Sequence, residues 1–134
     1  MRFTVDPTSS VPIYAQLVEQ VKHAVAAGTL LQHAPLPSLR DVSTRLRISP
    51  LTVKKAYGEL ETLGIVLTEA GRGTFVSGDA GAFSTQYKQA ALVQAVDRLL
   101  VEAHHLGASE EEIITLVRER RAMLNHITGT PVEG

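Results

Sequence analysis

The sequence predicts a mainly α-helical fold carrying one small β-hairpin, and three observations predict it. Apolar residues recur with a helical period in five segments. Between the third and fourth of these the period drops toward 2 over "IVLTE" and "TFVS", on either side of the glycine-rich "AGRG". The helical segments are punctuated by residues that start or stop helices, Ser38, Ser49, Ser109, Gly28, Gly64 and Gly107.

At 134 residues the chain can bury one modest core with a small appendage. With no cysteine it has no disulfide framework and no thiolate ligand, which suits a reducing cytosol. The N-terminus "MRFTVDPTSS" lacks the apolar run of a signal peptide, and no stretch approaches the ~18 apolar residues needed to span a bilayer. A soluble cytoplasmic protein is expected, with no membrane partner.

The first helix is expected from Pro12 to Ala27, with Ile13, Leu17, Val18, Val21 and Val25 on its inner face and Gly28 ending it. Pro35 and Pro37 break the chain. Ser38 then caps a short second helix, Asp41 completes a capping-box-like pair, and Val42 and Leu46 point inward. Ser49 as N-cap and Pro50 at the first helical position start the third helix, since proline there has no amide hydrogen to lose and its φ is already helical. Its buried stripe is Val53, Ala56, Tyr57, Leu60 and Leu63, with Gly64 as the stop. Three helices followed by a hairpin, with a short turn between the second and third, make a winged helix-turn-helix.

Formal net charge is −1, so composition alone gives no hint of nucleic acid. The charges are not spread evenly, however. Between residues 40 and 55, Arg40, Arg45, Arg47, Lys54 and Lys55 stand against Asp41 alone, while residues 79–134 carry an excess of acids. Charge clusters commonly cover a solvated helix face, and Arg45 and Arg47 fit that description. The position of the others carries more weight. In a helix-turn-helix the N-terminal residues of the second helix of the pair meet base edges in the major groove, which is where Lys54 and Lys55 sit.

The blocks "PIYAQLVEQVKHAVAAGTL", "LPSLRDVSTRLRISPLTVKKAYGELETLGIV" and "GRGTFV" together resemble the DNA-binding domain of GntR-type bacterial transcription regulators over residues 11–76. The two helices after the wing are similar to the small YtrA-type subfamily, and so is Pro50 in the turn. The resemblance implies that Arg40 in "PSLR" contacts DNA, that Ser49 and Thr52 hold phosphates, that Lys54 contacts the site, and that Arg72 with Gly73 forms the wing tip. It also implies a repressor of a neighbouring operon, for which a transporter operon fits best. Two departures stand out. Gln32 and His33 replace the family's usual Pro-Gly, and Pro50 replaces an arginine found in many members, so sequence preference is not transferable from those members.

Chemistry supports the same set. Arginine's planar fork bonds guanine O6 and N7 or a phosphate in bidentate fashion, which makes Arg40 a better base reader than a lysine. Ser49 and Thr52 offer hydroxyls at a helix start, where the dipole favours phosphate. Arg72 lies between Gly71 and Gly73, which permit a tight turn and close backbone approach. The candidate DNA-binding residues are therefore Ser38, Arg40, Ser49, Pro50, Thr52, Lys54, Lys55, Arg72 and Gly73. Each has a plainer use: Ser49 also serves as a cap, and Lys55 is spaced to pair with Glu59 at i,i+4.

The expected domains are residues 1–77 for DNA binding, a flexible linker at 78–83 ("GDAGAF"), and a helical dimerisation segment at 84–134. Leu92, Val96, Leu99, Ala103 and Leu106 step by four, three, four and three, the spacing of a coiled-coil-like seam ended by Gly107. Ser109 and Glu112 make a second capping box, and Ile113, Val117, Leu124 and Ile127 continue a comparable seam that Arg120 interrupts. A two-helix hairpin cannot cover both of its faces, so a second copy of the chain is the simplest cover. The competing arrangement packs these helices back on the winged domain in a monomer.

Catalysis has no comparable pattern. The five histidines, His104 and His105 included, lack the helical spacing of a metal pair, and no phosphate loop, G-x-S-x-G or zinc-ligand array occurs. No cofactor or metal is expected. A small-molecule effector is compatible with this plan. The terminal hairpin is too small to enclose a ligand pocket of ~300 Å³ or more alone, which directs an effector to the dimer interface or the domain junction. The sequence thus predicts a homodimeric, operator-binding transcription repressor. Its alternative is a winged-helix protein-interaction module without DNA binding, which salt-sensitive DNA binding distinguishes.

Overall fold

The computed structural model describes residues 1–128, with side chains as far as Asn125. The last residues of the expected helical segment, 129–134, and the side chains of His126 and Ile127 lie outside what is described. The chain forms two compact units, Met1–Ala91 and a second from Leu92 onward.

The first unit holds α1 (Ile13–Ala27), α2 (Leu39–Leu46), α3 (Pro50–Thr62), β1 (Val66–Glu69), β2 (Gly73–Val76) and the beginning of α4 (Ala80–His105). The expected punctuation operates as capping chemistry. Gly28 ends α1 at φ +78°, Ser38 Oγ accepts from the Asp41 N–H at 3.1 Å, and Ser49 Oγ accepts from the Leu51 N–H at 3.2 Å. Leu17, Val18, Val21 and Val25 of α1 meet Val53, Ala56, Tyr57 and Leu60 of α3 in one core with Val42, Ile65, Val66 and Val76. Leu63 does not join the α3 stripe as expected. It is the helix C-cap and half exposed, and Ile65, two residues on, takes the inward place with no exposed surface.

Phe3 belongs to this core although no periodicity marks it. Two glutamines of α1 hold the N-terminal segment as a neighbouring strand would. Gln20 Oε1 accepts from the Thr4 N–H at 2.9 Å while its Nε2 donates to the Thr4 carbonyl at 2.6 Å, and Gln16 treats Asp6 in the same way.

β1 and β2 pair antiparallel with Val66 opposite Val76 and Glu69 opposite Gly73. The segment before α2 lies along the other edge of β2, with the Leu36 N–H donating to Thr74 at 2.8 Å and the Val76 N–H to Ala34 at 2.9 Å. His33 sits there at φ +67°, a left-handed value that suits a glycine better than a histidine.

The expected linker at 78–83 is not a hinge. Ala80–Phe83 form the first turn of α4, Ala80 is buried in the core, and Phe83 packs against it. Ser77 starts the turn, its Oγ accepting from the Asp79 N–H at 3.1 Å, and Ser84 Oγ donates to the Val25 carbonyl at 3.2 Å. Of the small residues that read as flexible, Ala80 is the one that meets the core, while Gly78, Gly81 and Ala82 remain exposed.

In the second unit α4 continues to His105, Gly107 turns the chain at φ +71°, and α5 runs Glu110–Thr128. Ser109 Oγ accepts from the Glu112 N–H at 3.2 Å, with Glu110, Glu111 and Glu112 in the first turn, where the helix dipole favours them. Of the expected seam, Ala103 is buried and Ile113 half-buried, whereas Leu92, Val96, Leu99, Val117 and Leu124 are exposed. Leu106 directly follows the last residue of α4, its N–H donating to the Glu102 carbonyl at 3.1 Å, and is largely exposed. An apolar cleft of about 330 Å³, lined by Leu99, Ala103, Ile113, Leu116 and Val117 among others, lies in this unit. It opens to solvent and is not enclosed by the two helices.

Candidate nucleic-acid interface

Three short stretches carry the candidate residues, and hydrogen bonds of the first unit tie each to the next. Ser38 and Arg40 stand at the start of α2, and Ser49, Pro50, Thr52, Lys54 and Lys55 in the first turn and a half of α3. Arg72 and Gly73 occupy the hairpin tip. Tyr57 of α3 ties the first two, its hydroxyl donating to the Pro37 carbonyl at 2.7 Å immediately before the Ser38 cap. Burial raises the Tyr57 pKa well above its ordinary value, so the hydroxyl stays protonated and the tie is a neutral hydrogen bond. The pairing of Leu36 with Thr74 ties the same stretch to the wing.

Ser49 shows why α3 can present a charged end. Its side chain accepts from the Leu51 N–H, Pro50 has no N–H to satisfy, and the Thr52 N–H donates to the Ser49 carbonyl at 3.0 Å, so the first turn is closed on itself while the positive end of the dipole stays at the surface. Ser38, Arg40, Ser49, Pro50, Lys54 and Lys55 are all exposed and Thr52 is half-buried. Lys55 does not pair with Glu59. Its Nζ lies 3.9 Å from the centre of the Tyr14 ring, a cation–π contact that the sequence pattern gave no means of anticipating.

The wing tip is a three-residue loop, Ala70–Gly71–Arg72, closed by the Arg72 N–H donating to the Glu69 carbonyl at 3.0 Å. Gly71 at φ +76° and Gly73 at φ +113° hold conformations that side chains rarely adopt, which is why glycine flanks the arginine. Arg72 Nη1 lies 3.2 Å from Glu69 Oε2, and its guanidinium 5.9 Å from the Phe75 ring. Both charged groups are well exposed, so this pair contributes at most ~1 kcal/mol and restrains the arginine without consuming it.

Other features stand apart from this surface. A cavity of about 590 Å³ lined by Met1, Arg2, Glu19, His23 and Tyr87, among others, contains none of the candidate residues. Tyr87 donates to Glu19 Oε2 at 3.0 Å, and burial together with that carboxylate pushes its pKa up to about 12. Among the described residues no group of three or more His, Asp or Glu is placed to hold a metal, and no helix is long and apolar enough to cross a membrane.

Comparison with known proteins agrees with this geometry. The profile of bacterial regulatory proteins of the gntR family matches residues 13–76. The chain is 36% identical over 115 residues to the HTH-type transcriptional repressor YtrA of Bacillus subtilis (strain 168), spanning 86% of this chain and 88% of that protein. A GntR family transcriptional regulator from Listeria monocytogenes superposes with a TM-score of 0.68 at 31% identity, over 83% of this chain and 96% of that one. AraR(DBD), solved in complex with operator ORX1, superposes with a TM-score of 0.50 at 28% identity over 56% of this chain and 93% of that one.

Proposed function

Since the chain belongs to the GntR family of bacterial regulatory proteins, in its YtrA-like branch, and is a DNA-binding transcription regulator rather than an enzyme, we propose that it is a homodimeric cytoplasmic repressor of a neighbouring operon. The observation that carries this reading is the exposed start of α3, capped by Ser49 and carrying Lys54 and Lys55 in its second turn, with Tyr57 tying the helix to the segment before α2 and that segment paired with the wing. In the proposed complex α3 enters the major groove by its N-terminus. Arg40 reads a base edge, the hydroxyls of Ser38, Ser49 and Thr52 hold phosphates at the positive end of the helix dipole, and Lys54 and Lys55 neutralise the backbone. Arg72 at the wing, with Gly73 permitting close approach, reaches an adjacent phosphate.

The dimer enters through the second unit. Leu92, Val96 and Leu99 repeat on one face of α4, and Val117 and Leu124 on α5, all exposed in the single chain. Contiguous apolar surface of this kind marks an interaction site, and a second copy covers both stripes at once. Two recognition helices then meet two half-sites, each adding effective concentration to the other. The reading needs no small-molecule effector. The other use of the scaffold, protein binding without DNA, is set aside because the relatives are named transcriptional regulators and a neighbour is solved on its operator.

Selection of duplexes from a random pool by the purified protein tests this. The expected product is an inverted repeat that, placed across a promoter, lowers reporter expression when the protein is present. Recovery of no preferred sequence, or a rise in expression, contradicts the proposal.

A further inference from the structure

Leu51 has no role in the fold and stands where the DNA would lie. It is the second residue of α3 and 73% exposed, on the side of the helix opposite Val53, Ala56, Tyr57 and Leu60. Its backbone is not loose, because its N–H is the one bound by Ser49 Oγ. Lys54 and Lys55 follow at i+3 and i+4, so this leucine is an apolar point on a basic ridge. Gly58, at i+7, continues the ridge without a side chain. Glycine weakens a helix interior, yet Gly58 has no left-handed φ, and a Cβ there would meet nothing within 4 Å. Nothing inside the unit calls for it, and its effect is to keep the outer surface of α3 low where a groove floor would approach.

We propose that Leu51 is a specificity-determining residue that packs on the C5 methyl of a thymine in each operator half-site. This rests on the reading of α3 as the major-groove helix. The discrimination follows from what leucine lacks. In the major groove guanine, adenine and cytosine present donors and acceptors, and the thymine methyl is the apolar group. A leucine side chain seated on any of the polar edges strips water from it and supplies no hydrogen bond in return, whereas seated on the methyl it removes apolar surface from water on both sides. Lys54, one turn on and exposed, supplies the charge that a neighbouring phosphate would draw to such a contact.

Deoxyuridine lacks only that methyl group. The full chain is used to select its preferred duplex from a random pool, and each thymine of that duplex is then replaced singly by deoxyuridine and titrated at fixed salt. One position per half-site is expected to lose about fourfold in affinity for the parent, the value of one apolar carbon removed from the contact. Leu51→Ala, which leaves the core untouched because the side chain is largely exposed and outside it, is expected to keep its helix content and to bind the thymine and deoxyuridine duplexes equally. The proposal is overturned if no thymine shows a methyl effect, or if Leu51→Ala keeps the parent's penalty. If selection enriches no duplex at all, the major-groove reading itself fails, an outcome visible before any base is replaced.

Discussion

Leu99→Glu probes the proposed dimer at the point where the geometry makes the largest demand on it. Leu99 is 44% exposed in the single chain and lies between Val96 and Ala103 on the α4 stripe, at the rim of the apolar cleft. Covering the remainder of a leucine contributes roughly 1 kcal/mol per copy, about half the value of full burial. Glutamate at this position does more than forfeit that. A carboxylate buried without a partner costs ~3–5 kcal/mol, and a two-fold interface contains the change twice, so the dimer loses at least ~6 kcal/mol. At 1.4 kcal/mol per decade this exceeds four decades, enough to move a nanomolar dimer to ~10 µM or weaker. The first unit does not depend on Leu99, since its core is drawn from α1, α2, α3, the hairpin and the first turns of α4. Sedimentation is expected to give a folded monomer. Operator titration is expected to show loss of tight binding to two half-sites, with weak, salt-sensitive binding to one half-site retained. A variant that stays dimeric, or that is monomeric yet holds the full operator as tightly as the parent, refutes the role assigned to these helices.

Arg40→Ala is expected to cost ~1–3 kcal/mol and to relax preference at one operator position, whereas Lys54→Ala weakens all sequences alike; competition titration against single-base operator variants separates the two patterns. Glu69→Gln frees Arg72 from its 3.2 Å partner and is expected to raise affinity for random duplex severalfold while leaving the thermal midpoint almost unchanged, as read by anisotropy and melting. Tyr57→Phe leaves the Pro37 carbonyl without its 2.7 Å donor and is expected to lower stability by ~1–2 kcal/mol in urea unfolding. It should also loosen the start of α2, which hydrogen exchange at Asp41 and Val42 would report.

Much of this was legible because the sequence marks helix ends with residues whose chemistry acts locally. Ser38, Ser49, Gly28 and Gly107 perform in the structure the tasks their positions implied, and the Gly71 and Gly73 pair followed from the backbone needs of a tight hairpin. What was not legible depends on contacts distant in sequence. Phe3 has no periodic neighbours to announce it, and the role of Gln16 and Gln20 as surrogate strand partners arises only when the N-terminal segment lies beside α1. Lys55 was open to Glu59 by spacing, but Tyr14 of another helix holds it. The segment 78–83 misled because small residues mark both flexible joints and close helix packing, and only the neighbouring core decides between them. Leu51 leaves no signal in the sequence, because an exposed leucine has no pattern of its own.

The claim that the α3 turn and the wing together face the DNA backbone is tested most directly by the salt dependence of operator binding. Both Lys54 and Arg72 are exposed, one on the helix and one on the hairpin tip, and each phosphate contact adds about 0.9 to the slope of log affinity against log salt. The full chain and the Lys54→Ala/Arg72→Ala variant are titrated with the selected operator at a series of salt concentrations. The expected result is a slope shallower by roughly two per half-site, with affinities converging at high salt. An unchanged slope and affinity would mean that this surface does not meet DNA.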